Sequence, residues 1–150
     1  MPETLDLEIL LSRGELDAYL AELRISDPQG VVSAPIKASI RIDLEKRRQS
    51  RLDPAAYGAG LTAALFGDPT LRGGYDTAVA AALPDRVLRL RLLIDRSAPE
   101  LHNLRWETLR DPRDGAWLLA SESILFSRLL ARPSMERIHL RPDAGLKALA

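Results

Sequence analysis

The fold is decided by the residues from Leu88 to Leu130, LRLRLLIDRSAPELHNLRWETLRDPRDGAWLLASESILFSRLL. Apolar residues occupy every second position at the start of this stretch: Leu88, Leu90, Leu92 and Ile94. This period of two is typical of a β-strand. Because Val87 and Leu93 make the other side of the strand partly apolar, we expect it to lie in the centre of a sheet.

The remainder of the stretch predicts short elements. Ser97-Ala98-Pro99-Glu100 has the pattern of a capping box with Pro in the first helical turn. Asp111-Pro112-Arg113-Asp114-Gly115 is a turn sequence. The apolar segments on either side of Ser121 to Ser123 are predicted to form a C-terminal β-hairpin, Trp117–Ala120 with Ile124–Arg128.

Trp106 and Glu107 form an aromatic–carboxylate pair in a segment that we expect to be largely buried. A buried carboxylate needs a cation or backbone N–H groups as partners. Arg128, at the end of the predicted hairpin, is the candidate partner, and Arg105 or Arg110 are the alternatives. The hypothesis is a structural clamp made by Trp106, Glu107 and Arg128, which holds the hairpin to the core.

Three alternating segments precede this stretch, at Leu5 to Leu11, Tyr19 to Ile25 and Ile36 to Ile42. Short turns join them, so they predict an antiparallel meander with one face in water. Two helices should follow, each beginning at an Asp-Pro pair, Asp53-Pro54 and Asp68-Pro69. These helices are predicted to form an αα-hairpin that covers the sheet.

The predicted fold class is therefore α+β, with a mainly antiparallel sheet, an αα-hairpin packed on it and a C-terminal β-hairpin. Residues 1–131 are expected to form a single domain and residues 132–144 a linker. Residues 145–150 (GLKALA) turn apolar and resemble the start of a following element that is cut off. The charged run Leu44 to Arg51 favours a solvated helix or a linker over a basic contact patch.

Composition excludes several classes of function. The 150 residues are 46% hydrophobic and 28% charged, which is ordinary for a globular domain. Lys plus Arg and Asp plus Glu each number 21, which argues against a nucleic-acid binder that relies on bulk charge. Without cysteine there is no disulfide, thiolate metal site or cysteine nucleophile in these residues. No apolar run reaches membrane-spanning length and the start is acidic, so we expect a cytoplasmic protein that does not contact membrane.

No set of residues predicts an active site. His102 and His139 are the only histidines, and neither has metal-ligand spacing to another His. No serine lies in a nucleophile elbow, and turns and caps account for most carboxylates near Glu107. Arginines 89, 91, 96, 105 and 110 make the most basic region, but alternating arginines on a strand usually serve solvation. We therefore predict no catalytic, metal or cofactor site.

The second half of the chain resembles the region before the protease core of bacterial CHAT proteins, which are caspase-like proteins associated with tetratricopeptide repeats. The family pattern P-E-L-x-x-L-x-W-E-x-L is matched here by residues 99 to 109: Pro99, Glu100, Leu101, Leu104, Trp106, Glu107 and Leu109. Arg128 stands in the later Arg position, and Arg105 stands where Pro is frequent. Residues 53 to 66 also look like one subset of the family, so the resemblance covers much of residues 53 to 130.

The resemblance implies a non-catalytic N-terminal accessory or scaffold domain, which packs on a downstream caspase-like core or contacts a regulatory protein. The catalytic His and Cys would lie in that core, and GLKALA would be its opening strand. No catalytic residue can be assigned to a position of this sequence. Two alternatives from other classes stay open: a free-standing module that binds a protein or small ligand, and a small hydrolase.

Overall fold

A computed structural model describes residues 3–30 and 33–130 of the chain. Its N-terminal strands are β1 (Thr4–Arg13), β2 (Tyr19–Ser26) and β3 (Ile36–Ile40). They pair antiparallel in chain order, β1 with β2 and β2 with β3. The predicted meander is confirmed, and the alternation that predicted it separates buried residues from more exposed ones along β1.

Three helices follow, α1 (Leu44–Gln49), α2 (Pro54–Phe66) and α3 (Pro69–Ala82). An aspartate precedes each helix and accepts hydrogen bonds from backbone N–H groups of its first turn: Asp43, Asp53 and Asp68. The two predicted Asp-Pro helices are thus confirmed. The charged run that contains α1 is helical rather than a linker.

The fourth strand, β4 (Val87–Ile94), lies between β1 and β5 (Ile124–Leu130), and the sheet order is β3-β2-β1-β4-β5. The interior position of β4 confirms the prediction from its two apolar sides. However, β4 runs parallel to both neighbours. The sheet is therefore mixed, with two antiparallel and two parallel pairings, and the strands that are distant in sequence form the parallel half.

The predicted C-terminal β-hairpin is not formed. Residues Leu118–Ala120 make a 3₁₀ turn, and Trp117 pairs back to Arg110 in an isolated antiparallel bridge. The strand β5 instead pairs parallel with β4, with Leu88 opposite Ile124. A parallel pairing needs a long crossover, and the segment between β4 and β5 supplies it with two further 3₁₀ turns, Pro99–Asn103 and Trp106–Thr108.

The core lies on one face of the sheet, which we call the covered face. There, apolar side chains of β1, β2 and β4 pack against α2, α3 and Trp106 in one cluster. Its largest fully buried members are Trp106, Tyr75, Leu7, Ile9, Leu11, Leu23, Leu61, Leu65, Leu71, Leu88, Leu90 and Leu92. The opposite side, which we call the open face, carries the alternate residues of the same strands. The predicted linker 132–144 and residues 145–150 lie outside the described residues.

Candidate functional site

The three residues of the predicted clamp are placed differently from one another. Trp106 is 1% exposed, and its indole N–H donates to the Leu101 carbonyl at 2.8 Å. Glu107, by contrast, is exposed. The expectation that this carboxylate is buried is therefore wrong, because its short 3₁₀ turn directs neighbouring side chains to different sides.

Arg128 does not pair with Glu107. Its Nη1 donates to the His102 carbonyl at 3.0 Å and lies 3.5 Å from the Leu104 carbonyl. The alternative partners are also engaged elsewhere, since Arg105 donates to the Arg51 carbonyl and Arg110 to the Gly115 carbonyl. Arg128 thus ties β5 to the backbone just before Trp106, and the ion pair of the clamp hypothesis is absent from the described contacts.

The turn aspartates and the histidine that the sequence analysis considered do not form a site. Asp95 and Asp114 accept from backbone N–H groups two residues later, as turn aspartates do. His102 is partly buried, and His139 lies outside the described residues. Within residues 3–30 and 33–130 no cluster of His, Asp and Glu has the arrangement needed to hold a metal ion.

Among the acids of residues 3–30 and 33–130, Asp111 is the most buried. It accepts bidentate hydrogen bonds from Arg113, with Nη2 at 2.6 Å from Oδ2. Burial acts to raise the pKa of Asp111, but the Arg113 hydrogen bonds and charge outweigh it and the pKa is lowered. The nearby Tyr75 hydroxyl is buried without a hydrogen-bond partner among the described atoms. Burial and then the Asp111 charge raise the pKa of Tyr75, so it stays a neutral phenol.

The open face combines ion pairs and leucines. Arg89 forms a bidentate ion pair with Asp6, with Nη2 2.8 Å from Oδ2. Nη1 of Arg91 lies 3.6 Å from Oε1 of Glu8. Leucines occupy further positions of this face, beside the Glu22–Arg24 ion pair. They are Leu10, Leu20, Leu93, Leu125 and Leu129. Because Arg89 and Arg91 have acidic partners, they do not form a basic patch with Arg105.

The two edges of the sheet differ. Strand β3 is five residues long, follows Pro35 and carries the exposed Lys37, all of which discourage pairing with another strand. Strand β5 is seven residues long and has Leu125 at 52% and Leu129 at 43% exposure. Among the described residues, β5 pairs with β4 alone. Its outer edge therefore offers backbone groups beside exposed leucines.

A cavity of about 250 Å³ lies between α1, the start of α2 and the 3₁₀ turns before Trp106. Four arginines line it, Arg47, Arg48, Arg51 and Arg105, together with Tyr57 and Glu100. Sequence reasoning missed this group because it assigned residues 44–51 to solvation and Arg105 to another surface. The available signal was that Arg51 follows Arg47 by four residues and Arg48 by three, the spacings at which side chains on a helix are neighbours.

The carboxylate of Glu100 already has partners. It accepts hydrogen bonds from the Tyr19 hydroxyl, at 2.7 Å, and from the Arg13 guanidinium. Burial acts to raise the pKa of Glu100, but these hydrogen bonds and the Arg13 charge outweigh it and the pKa is lowered. The one carboxylate at the cavity therefore belongs to a pair with residues outside the cavity.

Within the described part of the chain, no helix has the length and apolar character needed to cross a bilayer. The chain matches no protein-family model, no curated protein and no solved structure. The resemblance to the CHAT region therefore stays a prediction.

Proposed function

We propose that this chain is a non-catalytic accessory domain of a CHAT-type, caspase-like protein, and that it works by protein contact. The observation that carries the proposal is the outer edge of β5, a seven-residue strand with two exposed leucines. An extended segment of a partner can add to such an edge by main-chain hydrogen bonds while its side chains cover the leucines.

The residues that match the CHAT pattern support a scaffold role over catalysis. Leu101, Trp106 and Leu109 are each at most 1% exposed and belong to the core cluster. Arg128 donates a hydrogen bond to the His102 carbonyl, in the same segment. A pattern whose members pack and tie the chain together is what a structural domain requires.

The edge of β5 can be perturbed without removing its pairing to β4. Leu88 N–H donates to the Ser123 carbonyl at 2.9 Å. Backbone groups of a strand alternate between its two sides. Those of Phe126 and Arg128 therefore point to the outer edge, whereas those of Leu125 and Ser127 point to β4. Leu125 and Leu129 project onto the open face, so charged residues at these positions repel a partner at the edge while leaving the ladder intact.

The first test is the DNA around the coding region. The proposal expects a caspase-like core, with a catalytic His and Cys, encoded in continuation of this chain or beside it. Its absence from the locus would rule out the CHAT assignment.

The second test is binding of that core to the chain, measured by isothermal titration calorimetry. Leu125→Lys with Leu129→Lys should weaken binding at least about tenfold, since two lysines would lose apolar contact and oppose docking. Leu52→Lys is the control, because Leu52 is 95% exposed and belongs to the connection between α1 and α2, not to the sheet. Equal affinity of the double variant and the control would contradict a contact through β5.

A further inference from the structure

We propose that the arginine-lined cavity binds the phosphate group of a small organic phosphate monoester. The site is formed by Arg47, Arg48 and Arg51 from α1 and the residues after it, and by Arg105 from the crossover segment. The inference is independent of the accessory role, because it rests on a different part of the molecule.

The charge of the cavity wall is uncompensated. Among the described residues, Arg47, Arg51 and Arg105 form no ion pair, and Arg48 has only a 3.8 Å contact with exposed Glu45. Contacts of this kind at the surface contribute little. Since Glu100 is engaged by Arg13 and Tyr19, no carboxylate in the described part of the chain is left to balance the four arginines that line the cavity.

Arg47 is held in place before any ligand arrives. It is 7% exposed, and its Nη1 donates to the Tyr57 carbonyl at 2.9 Å. Gly60 leaves the room for it, because a Cβ at that position would lie 1.9 Å from Nη1. A buried guanidinium without a carboxylate is costly, and an anion in the cavity would offset that cost. The remaining N–H groups of Arg47 are available for this purpose.

Arg105 is also positioned by the backbone. Its Nη1 donates to the Arg51 carbonyl at 3.1 Å, and its own N–H donates to the Tyr57 hydroxyl at 3.1 Å. These contacts join the crossover segment to α2 and to the residues after α1, and they bring Arg51 and Arg105 to the same side of the cavity. Two segments that are distant in sequence thus present guanidinium groups to one space.

The chemistry of the site favours a phosphate monoester over a carboxylate. A phosphate monoester is close to a dianion at neutral pH and has three acceptor oxygens, whereas a carboxylate has one charge and two. Guanidinium groups bind phosphate oxygens bidentately. Leu44, Leu104 and the Tyr57 ring provide an apolar part of the wall for the organic group. The volume suits a small molecule.

The test is calorimetric titration of the full chain with phenyl phosphate, and with inorganic phosphate and acetate at equal ionic strength. We expect one site, with phenyl phosphate bound more tightly than inorganic phosphate because the ring contacts the apolar wall. Acetate should bind at least about tenfold more weakly, having one charge. If inorganic phosphate binds as tightly as phenyl phosphate, the site does not recognise the organic group of an ester. If acetate binds with the same affinity as both phosphates, the cavity is not a phosphate site.

Variants decide whether the four arginines are the site. Arg48→Gln with Arg51→Gln alters exposed side chains and should weaken phenyl phosphate binding at least about tenfold without changing the melting temperature. Arg96→Gln, an exposed arginine that does not line the cavity, is the matched control. Arg47→Lys keeps the positive charge but removes the planar guanidinium that can donate two hydrogen bonds to a phosphate, so it should weaken binding. Circular dichroism verifies that this variant is folded. Unchanged affinity in the Arg48/Arg51 double variant would overturn the site.

Discussion

The two faces of the sheet are built from alternate residues of the same strands but are stabilised by different interactions. On the covered face, Leu7 and Leu90 are fully buried under the helices. On the open face, their neighbours Asp6 and Arg89 form an ion pair that is still partly in water. Burial of an apolar side chain contributes about 1.5–3 kcal/mol, whereas an exposed ion pair contributes about 0–1 kcal/mol.

This difference means that one face supplies most of the stability and the other is available for contact with a partner. The covered face holds the fold together, so truncation of its buried side chains should lower the free energy of unfolding most. On the open face Leu93 is 6% exposed, but the ion-paired residues and the β5 leucines keep contact with water, so substitutions at these positions should cost little stability. A surface that binds a partner needs this freedom. The proposed contact lies on that side of the molecule.

The largest effect is expected from Leu90→Ala on the covered face. Leu90 is fully buried in β4, an interior strand, so truncation should lower the free energy of unfolding by about 2–5 kcal/mol through lost burial and a cavity. Urea denaturation measures it. Leu52→Ala is the control and should change stability by less than about 0.5 kcal/mol. Similar losses at both positions would mean that the covered face is not the core.

A smaller loss is expected from Gly58→Ala, which tests how tightly α2 is held against the crossover segment. A Cβ at Gly58 would lie 2.0 Å from the Thr108 carbonyl oxygen, a backbone atom that cannot swing away. Overpacking of this kind costs about 1–3 kcal/mol. Gly73→Ala in α3 is the matched control.

Nothing lies within 4 Å of a Cβ at Gly73, so alanine there should stabilise the chain by about 0.4–1 kcal/mol. Thermal denaturation of both variants gives the comparison. A stabilising Gly58→Ala would show that α2 does not approach Thr108 as closely as described.

The smallest effect is expected on the open face, from Arg89→Gln. Removing the pair with Asp6 should cost about 0.2–1 kcal/mol, because both side chains keep some contact with water. A double-mutant cycle with Asp6→Asn, run at low and high salt, isolates the pair and should show its coupling fall with salt. A coupling energy between Arg89 and Asp6 larger than the loss of unfolding free energy in Leu90→Ala would reverse the comparison between the faces.

The sequence predicted best where contacts are local. The strands β1, β2 and β3 follow one another through short turns, so alternation in each segment is enough to predict the meander. The Asp-Pro pairs predicted the starts of α2 and α3 because capping is a property of a few adjacent residues. The interior place of β4 followed from its second apolar side.

Prediction failed where the chain chooses between distant partners. Leu118 is buried in a 3₁₀ turn, not in a hairpin strand, because Trp117 pairs back to Arg110 across the preceding turn. Glu107 is exposed although its neighbour Trp106 is buried, since a 3₁₀ turn sends adjacent side chains to different sides. Apolar content alone does not distinguish these arrangements.

The sequence by itself determined β1 to β4, the starts of α2 and α3, and the lack of a thiol in these residues. Periodicity, capping and residue type are local properties. Only the tertiary structure decided that β4 and β5 run parallel, and that Arg105 meets Arg47, Arg48 and Arg51 at one cavity. Such meetings depend on how a long crossover closes over the sheet. That closure is set by packing of the whole core, to which every segment contributes at once.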